Sequence, residues 1–288
     1  MQQNPLPIAS PLFILREACS SDLLRVLERL KAIGFDGVEF LGFFGQEPAA
    51  VGQKMRELGL ISLGDHVPYA DFAANAQEVF LQHQAAGCRY LTVSGLPEAI
   101  YTDLHLLDTV MASVGAWAQM APDFGMTLLF HNHAAELQPV EGVPLLDRIM
   151  DHPAAQALCL EPDLGWMSIA GADPLFYLQK YRSRCPVIHL KDYYMDSTKK
   201  NGPATAGPIQ SLGGRRGGPE LRHFEFRPCG YGVVNTPAQL PYVLACKPDF
   251  LVADHDLAYE RDSFQDLSAS LDYIRRALDI HLADRPAW

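Results

Sequence analysis

Short apolar runs that end in charged or imidazole side chains recur along this chain, and each is followed by a longer stretch with helical spacing. That alternation constrains the fold more than any single motif does. A first strand near Leu6–Ser10 leads to Leu23, Val26, Leu27, Leu30 and Ile33, spaced for one helix face behind the N-cap candidates Ser20, Ser21 and Asp22, with Gly34 as the stop. Gly37–Leu41 reads as a strand, Pro48–Leu58 as a helix closed by Gly59, and Leu60–His66 as a third strand. A helix over Phe72–Ala86, a strand at Tyr90–Ser94 and a helix lined by Leu104, Leu107, Met111, Val114 and Ala118 follow, then a strand through Met126–His133. A helix from about Pro144 precedes the strand Ala157–Asp163, and Asp173 with Pro174 opens another helix. Pro186–Asp192 is the seventh strand, Thr236 and Pro237 open the next helix, and Asp249–Asp254 is the eighth strand. Phe264, Leu267, Leu271, Ile274 and Leu278 mark the last helix.

Eight strand–helix units in 288 residues match the size of one parallel (β/α)8 barrel. Nothing between them reads as an interdomain linker, so residues 1–288 are expected to form a single α/β domain. An open doubly wound sheet is the alternative, but no G-x-G-x-x-G turn follows the first strand and no P-loop occurs. The irregular stretch Tyr193–Asn235, rich in glycine and proline, is expected as a long loop after the seventh strand. In a barrel such a loop sits on the catalytic face.

The 48% hydrophobic content is ample for a large core, yet no apolar run is long enough to span a bilayer. The N-terminus has neither a basic nor a long apolar segment of the secretory kind, so a soluble, cytoplasmic protein is expected. Six cysteines without a C-x-x-C pair are expected as free thiols. A net charge of −11 opposes the positive field that collects nucleic-acid phosphates, and no nucleic-acid partner is expected.

The polar residues concentrate at strand ends. Glu39 ends the second strand, His66 the third, His131 and His133 the fifth, and Glu161 and Asp163 the sixth; His189 and Lys191 end the seventh, and Asp254 and Asp256 the eighth. In a barrel these are C-terminal ends, the catalytic rim, and side chains two apart share a face. A ring of carboxylates and imidazoles around one mouth would be self-repelling or desolvated without a divalent cation. Any one of them alone could instead be a hydrogen-bonding partner for loop backbone.

The segments "GFDGVEF", "FHNHAAEL", "LEPDLGWMSIAGADP", "VIHLKD", "GYGVVNTP" and "LVADHD" resemble the xylose isomerase-like TIM barrels. That family includes sugar isomerases and epimerases, inosose dehydratases and the endonuclease IV group. The resemblance covers nearly the whole chain and is closest to the sugar phosphate isomerase/epimerase branch, with its Y-H-N-H, E-L-D-x-x-W and H-L-K-D segments. It implies a divalent metal, manganese first and zinc, cobalt or iron as alternatives. The ligands implied are Asp163, His189 and Asp254; Phe130 or His131 stands where the isomerases place a glutamate, and of the two only His131 could bind metal. Asp254 is one methylene shorter than the usual glutamate, so two imidazoles with two carboxylates, or three ligands with more water, both remain open.

The resemblance further implies an isomerase or epimerase acting on a keto-sugar or sugar phosphate through an enediolate, with dehydration of a keto-cyclitol or 3-keto-sugar as the alternative. His133, Glu161 and Lys191 are expected to be catalytic, the first two as bases and Lys191 on an oxyanion or a leaving hydroxyl. Glu39, His66, Glu136, Trp166 and Asp256 are expected to bind substrate; Glu39 and His66 are also available as bases, Trp166 either stacks under a ring or packs, and Glu136 contacts hydroxyls or begins a helix. Arg215, Arg216, Arg222 and Arg227 suit a phosphate or carboxylate, or are simply solvated. A non-catalytic sugar-binding barrel is a further class, as is an endonuclease IV-like nuclease, which the acidic charge opposes. The expected partner is a small sugar. A homodimer stays open, with Tyr193–Met195 as an exposed candidate contact.

Overall fold

Strands that are apolar on both faces must be covered on both. β1 (Ile8–Pro11), β2 (Gly37–Phe40) and β4 (Tyr90–Val93) are buried along their whole length. The structure is a computed structural model and describes residues 6–101, 103–195 and 224–283. It joins these strands with β3 (Ile61–Val67), β5 (Thr127–His131), β6 (Cys159–Glu161), β7 (Val187–Met195), β8 (Phe224–Arg227) and β9 (Phe250–Asp254). The result is one curled sheet in the order β8-β7-β9-β1-β2-β3-β4-β5-β6, in which only β8 runs antiparallel to its neighbour. The ends of the parallel run meet at one bridge pairing, Asp163 with His189, where the His189 N–H donates to the Pro162 carbonyl at 2.9 Å.

The helices are α1 (Arg16–Ile33), α2 (Pro48–Leu58), α3 (Tyr69–Ala86), α4 (Leu107–Met120), α5 (Leu145–Met150), α6 (Leu164–Ile169), α7 (Pro174–Lys180), α8 (Thr236–Ala245) and α9 (Ser263–Ala283). One side of each strand packs in the large core shared with the helices, for example Ile8, Val38, Leu91, Leu128 and Ile188. The other side forms a separate cluster of Ala9, Leu63, Tyr90, Leu129, Val187, Phe250 and Val252 in the middle of the sheet's curl. This is a TIM-barrel-like α/β architecture. Among the described residues no helix is long and apolar enough to cross a membrane, and the six cysteines are free.

Local chemistry explains where elements start and where expectation and structure differ. Asp22 does cap, its Oδ1 accepting from the Arg25 N–H at 3.0 Å, but the chain is already helical from Arg16 and merely breaks at Asp22. Asn235, one residue ahead of the expected Thr236, caps α8. The helix α6 was not expected; Asp163 starts it by accepting from the Trp166 N–H at 2.8 Å. The stretch Tyr193–Asn235 is not all loop. β7 continues through Tyr193 to Met195 and pairs with β8, whose Phe224 and Phe226 pack with Tyr193, Trp166, Ala134 and Ile169. Tyr193 is therefore buried, and of the expected exposed trio only Tyr194 and Met195 are exposed. Arg215, Arg216 and Arg222 lie outside the described residues.

Candidate active site

Strand periodicity lifts polar side chains directly above an apolar floor. On β5 the inward position above Leu129 is His131; on β7 those above Val187 are His189 and Lys191; on β9 the one above Val252 is Asp254. β3 needs a different device, because Leu63 and His66 are three apart. A register shift between β2 and β3 at Val38/Glu39 lets both face inward. Asn132, between the two histidines of "HNH", faces away from the centre. Its Oδ1 accepts from the Asp163 N–H at 3.1 Å and its Nδ2 donates to the Asp163 carbonyl at 3.4 Å, which fastens the end of β5 to the residue that starts α6.

The inward groups form two halves that share a border. In the first, the rings of His66, His131 and His189 form a triangle with centroid separations of 4.8, 4.6 and 5.7 Å. Glu161 lies among them, its Oε2 2.9 Å from His66 Nε2 and 3.6 Å from His131 Nδ1, its Oε1 3.5 Å from His189 Nε2. Glu39 Oε2 completes this half at 3.3 Å from His66 Nε2 and 3.2 Å from His189 Nε2. In the second half, Lys191 Nζ is 2.8 Å from Asp163 Oδ2, 2.8 Å from Asp254 Oδ2 and 2.9 Å from Asp256 Oδ2. The ammonium sits over the rings of Trp166 and Phe226, 5.0 and 5.5 Å from their centroids. Gly165 makes this packing possible, since a Cβ there would fall 2.7 Å from Lys191 Cβ. His189 bridges the halves through Nδ1, 3.1 Å from Asp254 Oδ2.

Burial and neighbouring charge set the protonation of the cluster. Burial lowers the His66 imidazole, but Glu39 and Glu161 outweigh it and hold the group up at about 10. His189 is likewise depressed by burial and raised well above the ordinary value by Glu39, Glu161 and Asp254. Burial, with the two cationic imidazoles beside it, pushes His131 down to about 3, and burial with His131 and Lys191 nearby keeps His133 neutral as well. Burial raises Asp163 to about 7 and Asp256 to about 6, Asp254 adding to both shifts and Lys191 opposing them. Asp254 itself, against its burial, is held low by Lys191 and His189, and Glu161 by His189 and His66.

Two sets of potential metal-ligand atoms arise, His66/His131/Glu161/His189 and His131/Asp163/His189/Asp254, each lying within 4.8 Å of one another. Among the described residues, buried His131 Nδ1, Glu161 Oε1 and Asp163 Oδ2 make no hydrogen bond, although Asp163 Oδ2 touches the Lys191 ammonium and Glu161 Oε1 lies 3.5 Å from His189 Nε2 as ion pairs. Buried imidazole and carboxylate atoms gathered on the two sides of the His131 ring, Glu161 toward Nδ1 and Asp163 toward Nε2, fit a divalent cation of the kind that accepts mixed ligation.

A cavity of about 240 Å3 opens onto this cluster. Glu39, His66, His131, His133, His189, Asp254, Asp256 and Glu136 line it with Leu12, Phe13, Leu41, Leu96 and Tyr101, and among the described residues no lysine or arginine reaches its wall. Of the residues expected from sequence, Glu161, Asp163 and Lys191 lie beneath that wall rather than on it. Trp166 is also off the wall, 1% exposed and edge-on to both His133 and Phe226, so packing accounts for the ring. Glu136 neither starts a regular helix nor is free: its carboxylate accepts from the His133 N–H at 2.8 Å and from the Tyr101 hydroxyl. Arg227 pairs with Glu225 at 2.6 Å and stands over the Tyr194 ring, away from the mouth. Three residues went unnoticed. Asn132 was legible as the middle of "HNH"; Tyr101, in a short helical turn, carried no signal. Asp192 gathers the N–H groups of Tyr193, Gly230, Gly232 and Val234 at 2.8–3.0 Å, and the "GYG" turn that surrounds it was the only hint.

A TIM-barrel-like sheet with an imidazole–carboxylate cluster at its C-terminal strand ends defines a class of barrel proteins with a rim site. The family model described as xylose isomerase-like TIM barrel matches residues 27–245, and the chain belongs to that family. An inosose dehydratase of Salmonella agona is 25% identical over 199 residues, which covers 61% of this chain and 64% of that protein. The chain thus matches somewhat under two thirds of the length of such relatives. A sugar phosphate isomerase/epimerase of Parabacteroides distasonis superposes with a TM-score of 0.68 at 14% identity, over 96% of each chain. A probable 3-DHS dehydratase of Bacillus anthracis does so with a TM-score of 0.69 at 13% identity, over 93% of this chain and 98% of its own. At such identities the two structures speak for the shared fold alone.

Proposed function

We propose that the protein is a divalent-metal-dependent lyase that removes water from an uncharged keto-cyclitol or keto-sugar, beginning with loss of a proton from the carbon next to the carbonyl. The observation that carries this reading is the convergence of buried imidazoles and carboxylates, with orphaned His131 Nδ1 and Glu161 Oε1, beneath a cavity whose described wall lacks any lysine or arginine. The sheet is read here as a closed ring of eight strand–helix units in one domain. A dication held by His131 and His189 with the carboxylates beside them would polarise a carbonyl and ease the charge of an enolate.

His133 is neutral and stands on the cavity wall, which suits it to take the proton from carbon. Asp256, raised to about 6 and on the same wall, gives a proton to the departing hydroxyl, so that a C=C bond conjugated with the carbonyl and one water result. Lys191, beneath, holds Asp256 in place. Three other carboxylates on the wall, Glu39, Glu136 and Asp254, can accept from sugar hydroxyls, and the described wall offers no lysine or arginine to pair with a phosphate or carboxylate, which favours an uncharged ligand. Similarity to inosose dehydratases supports elimination over isomerisation as the outcome. Both begin with the same proton transfer. The test is incubation of inososes, 3-keto-glycosides and ketohexoses with Mn2+ in D2O, followed by mass spectrometry and NMR. Deuterium next to the carbonyl together with loss of one water is the expected result. A ligand that binds and shows neither change refutes the reading, and deuterium without water loss reassigns the protein to isomerases or epimerases.

A further inference from the structure

Two overlapping ligand sets compete for one cation, and they differ in what already occupies them. The set of His131, Asp163, His189 and Asp254 uses the residues that the family resemblance implies. Yet Asp163 has both oxygens engaged, Oδ1 with the Trp166 N–H at 2.8 Å and Oδ2 with Lys191 Nζ at 2.8 Å. Asp254 Oδ2 is shared by Lys191 Nζ at 2.8 Å and His189 Nδ1 at 3.1 Å. A dication there would have to displace a buried ammonium or lie against it, and like charges at such distances repel strongly in a buried site. The ammonium cannot leave easily, because Asp256, Trp166 and Phe226 enclose it and α6 presses on its stem through Gly165.

The other set carries no lysine; its cations are the imidazoles of His66 and His189, which release a proton and become ligands when a metal binds, whereas an ammonium stays in place as a charge. Two of its atoms, His131 Nδ1 and Glu161 Oε1, belong to side chains that are 3% and 0% exposed and make no hydrogen bond among the described residues; the first lies 3.6 Å from Glu161 Oε2 and the second 3.5 Å from His189 Nε2. A tetrahedral ion with bonds of about 2.1 Å requires ligand atoms roughly 3.4 Å apart. Glu161 Oε2 is 2.9 Å from His66 Nε2 and 3.6 Å from His131 Nδ1, and its other oxygen, Oε1, is 3.5 Å from His189 Nε2, with Glu39 in reserve at 3.3 and 3.2 Å from His66 and His189. In the lysine half, the His131–Asp163 and His189–Asp254 separations are 3.9 and 3.1 Å, so it is the ammonium rather than spacing that sets the two halves apart. His66, His131 and His189 also line the cavity, so an ion among them would face substrate.

We infer that this chain binds its divalent metal with His66, His131, Glu161 and His189, and that Lys191 serves as the resident cation of the Asp163–Asp254–Asp256 carboxylates. The inference rests on the metal-dependent reading of the site but not on which reaction the site performs. An imidazole-rich set of this kind suits cobalt, zinc, iron or manganese better than magnesium or calcium.

Co2+ is the probe, added to the purified full chain after chelator treatment. Binding is measured by equilibrium dialysis, and the visible absorption band and the paramagnetically shifted imidazole N–H resonances are recorded. The native protein is expected to bind Co2+ stoichiometrically and to show shifted signals from three histidines. His66→Ala should weaken binding roughly tenfold or more and change the band, whereas Asp254→Asn should change affinity by less than about threefold. The result that overturns the inference is the reverse: signals from two histidines only in the native protein, with Asp254→Asn stripping the metal and His66→Ala retaining it. Failure of the native chain to take up Co2+ would overturn the metal-dependent reading along with it. The histidine count is made on the native protein and so stands even if a variant fails to fold.

Discussion

Replacing Lys191 by methionine probes the half of the site that carries the ammonium. The side chain is 2% exposed and its Nζ is the common counter-ion of three carboxylates within 2.9 Å. Methionine keeps the volume and removes the charge. Removing one partner from a buried ion pair costs about 3–5 kcal/mol, because the other partner is left uncompensated. Here the cost must depend on pH. Asp163 and Asp256 titrate at about 7 and about 6 in the folded protein, above the ordinary aspartate value. Between about 3.9 and those values the folded state binds protons that the unfolded chain has released, so each carboxyl subtracts stability as pH rises through the window. Without the ammonium both values climb further and Asp254 loses its strongest stabilising neighbour. The stability difference between native protein and Lys191→Met should therefore approach 3–5 kcal/mol above about pH 8 and shrink to roughly 1–2 kcal/mol near pH 5. Urea unfolding of the chelator-treated proteins across that range measures it. A difference that is flat with pH, or larger in acid, would refute the counter-ion role.

Three other outcomes follow from separate parts of the molecule. His255 is buried and pushed down to about 4, so folding requires the neutral ring; between about pH 6.5 and 4 the protein should lose about 3 kcal/mol through this residue, and His255→Gln should abolish that part of the acid slope in urea titrations. A Cβ on Gly115 of α4 would fall 2.4 Å from the Ala154 carbonyl oxygen, so Gly115→Ala should cost about 1–3 kcal/mol in chemical denaturation, whereas Gly95→Ala, with nothing within 4 Å, should be nearly neutral. Asn132→Ala leaves the buried Asp163 N–H without its acceptor and should cost about 1–3 kcal/mol, with a lower melting temperature as the readout; unchanged melting would show that the clamp between β5 and α6 is dispensable.

Strand-end polarity was legible because a strand's period is two and its floor is apolar. Leu129 beneath His131 on β5 and Val187 beneath His189 on β7 repeat one rule on separate strands, so the inward set can be read without knowing which strands meet. His66 obeyed the expectation only through the register shift at Val38/Glu39, which no local pattern announces. The α6 turn escaped notice because Asp163 reads equally well as a strand end and as a cap, and the structure uses its backbone in the bridge to His189 and its Oδ1 in the cap. At Tyr193 and β8 the glycine-rich composition of the region points to loop and outweighs the short alternation of Phe224 and Phe226 that marks the strand.

What sequence position alone does not rank is which inward groups serve each other and which serve a ligand. Lys191 and His189 are two apart on one strand and share a face, yet they meet different neighbours: Lys191 is enclosed by Asp163, Asp254 and Asp256, while His189 turns Nε2 toward Glu39 and Glu161 and Nδ1 toward Asp254. The ammonium thus settles the charge of the carboxylates on the side of β9, while on the side of β3 and β5 His131 Nδ1 and Glu161 Oε1 make no hydrogen bond among the described residues. An ion or a substrate oxygen entering from the cavity would give those atoms a partner, and on the proposed reading His189 then stands at the border between the lysine-paired carboxylates and the ligand-binding imidazoles.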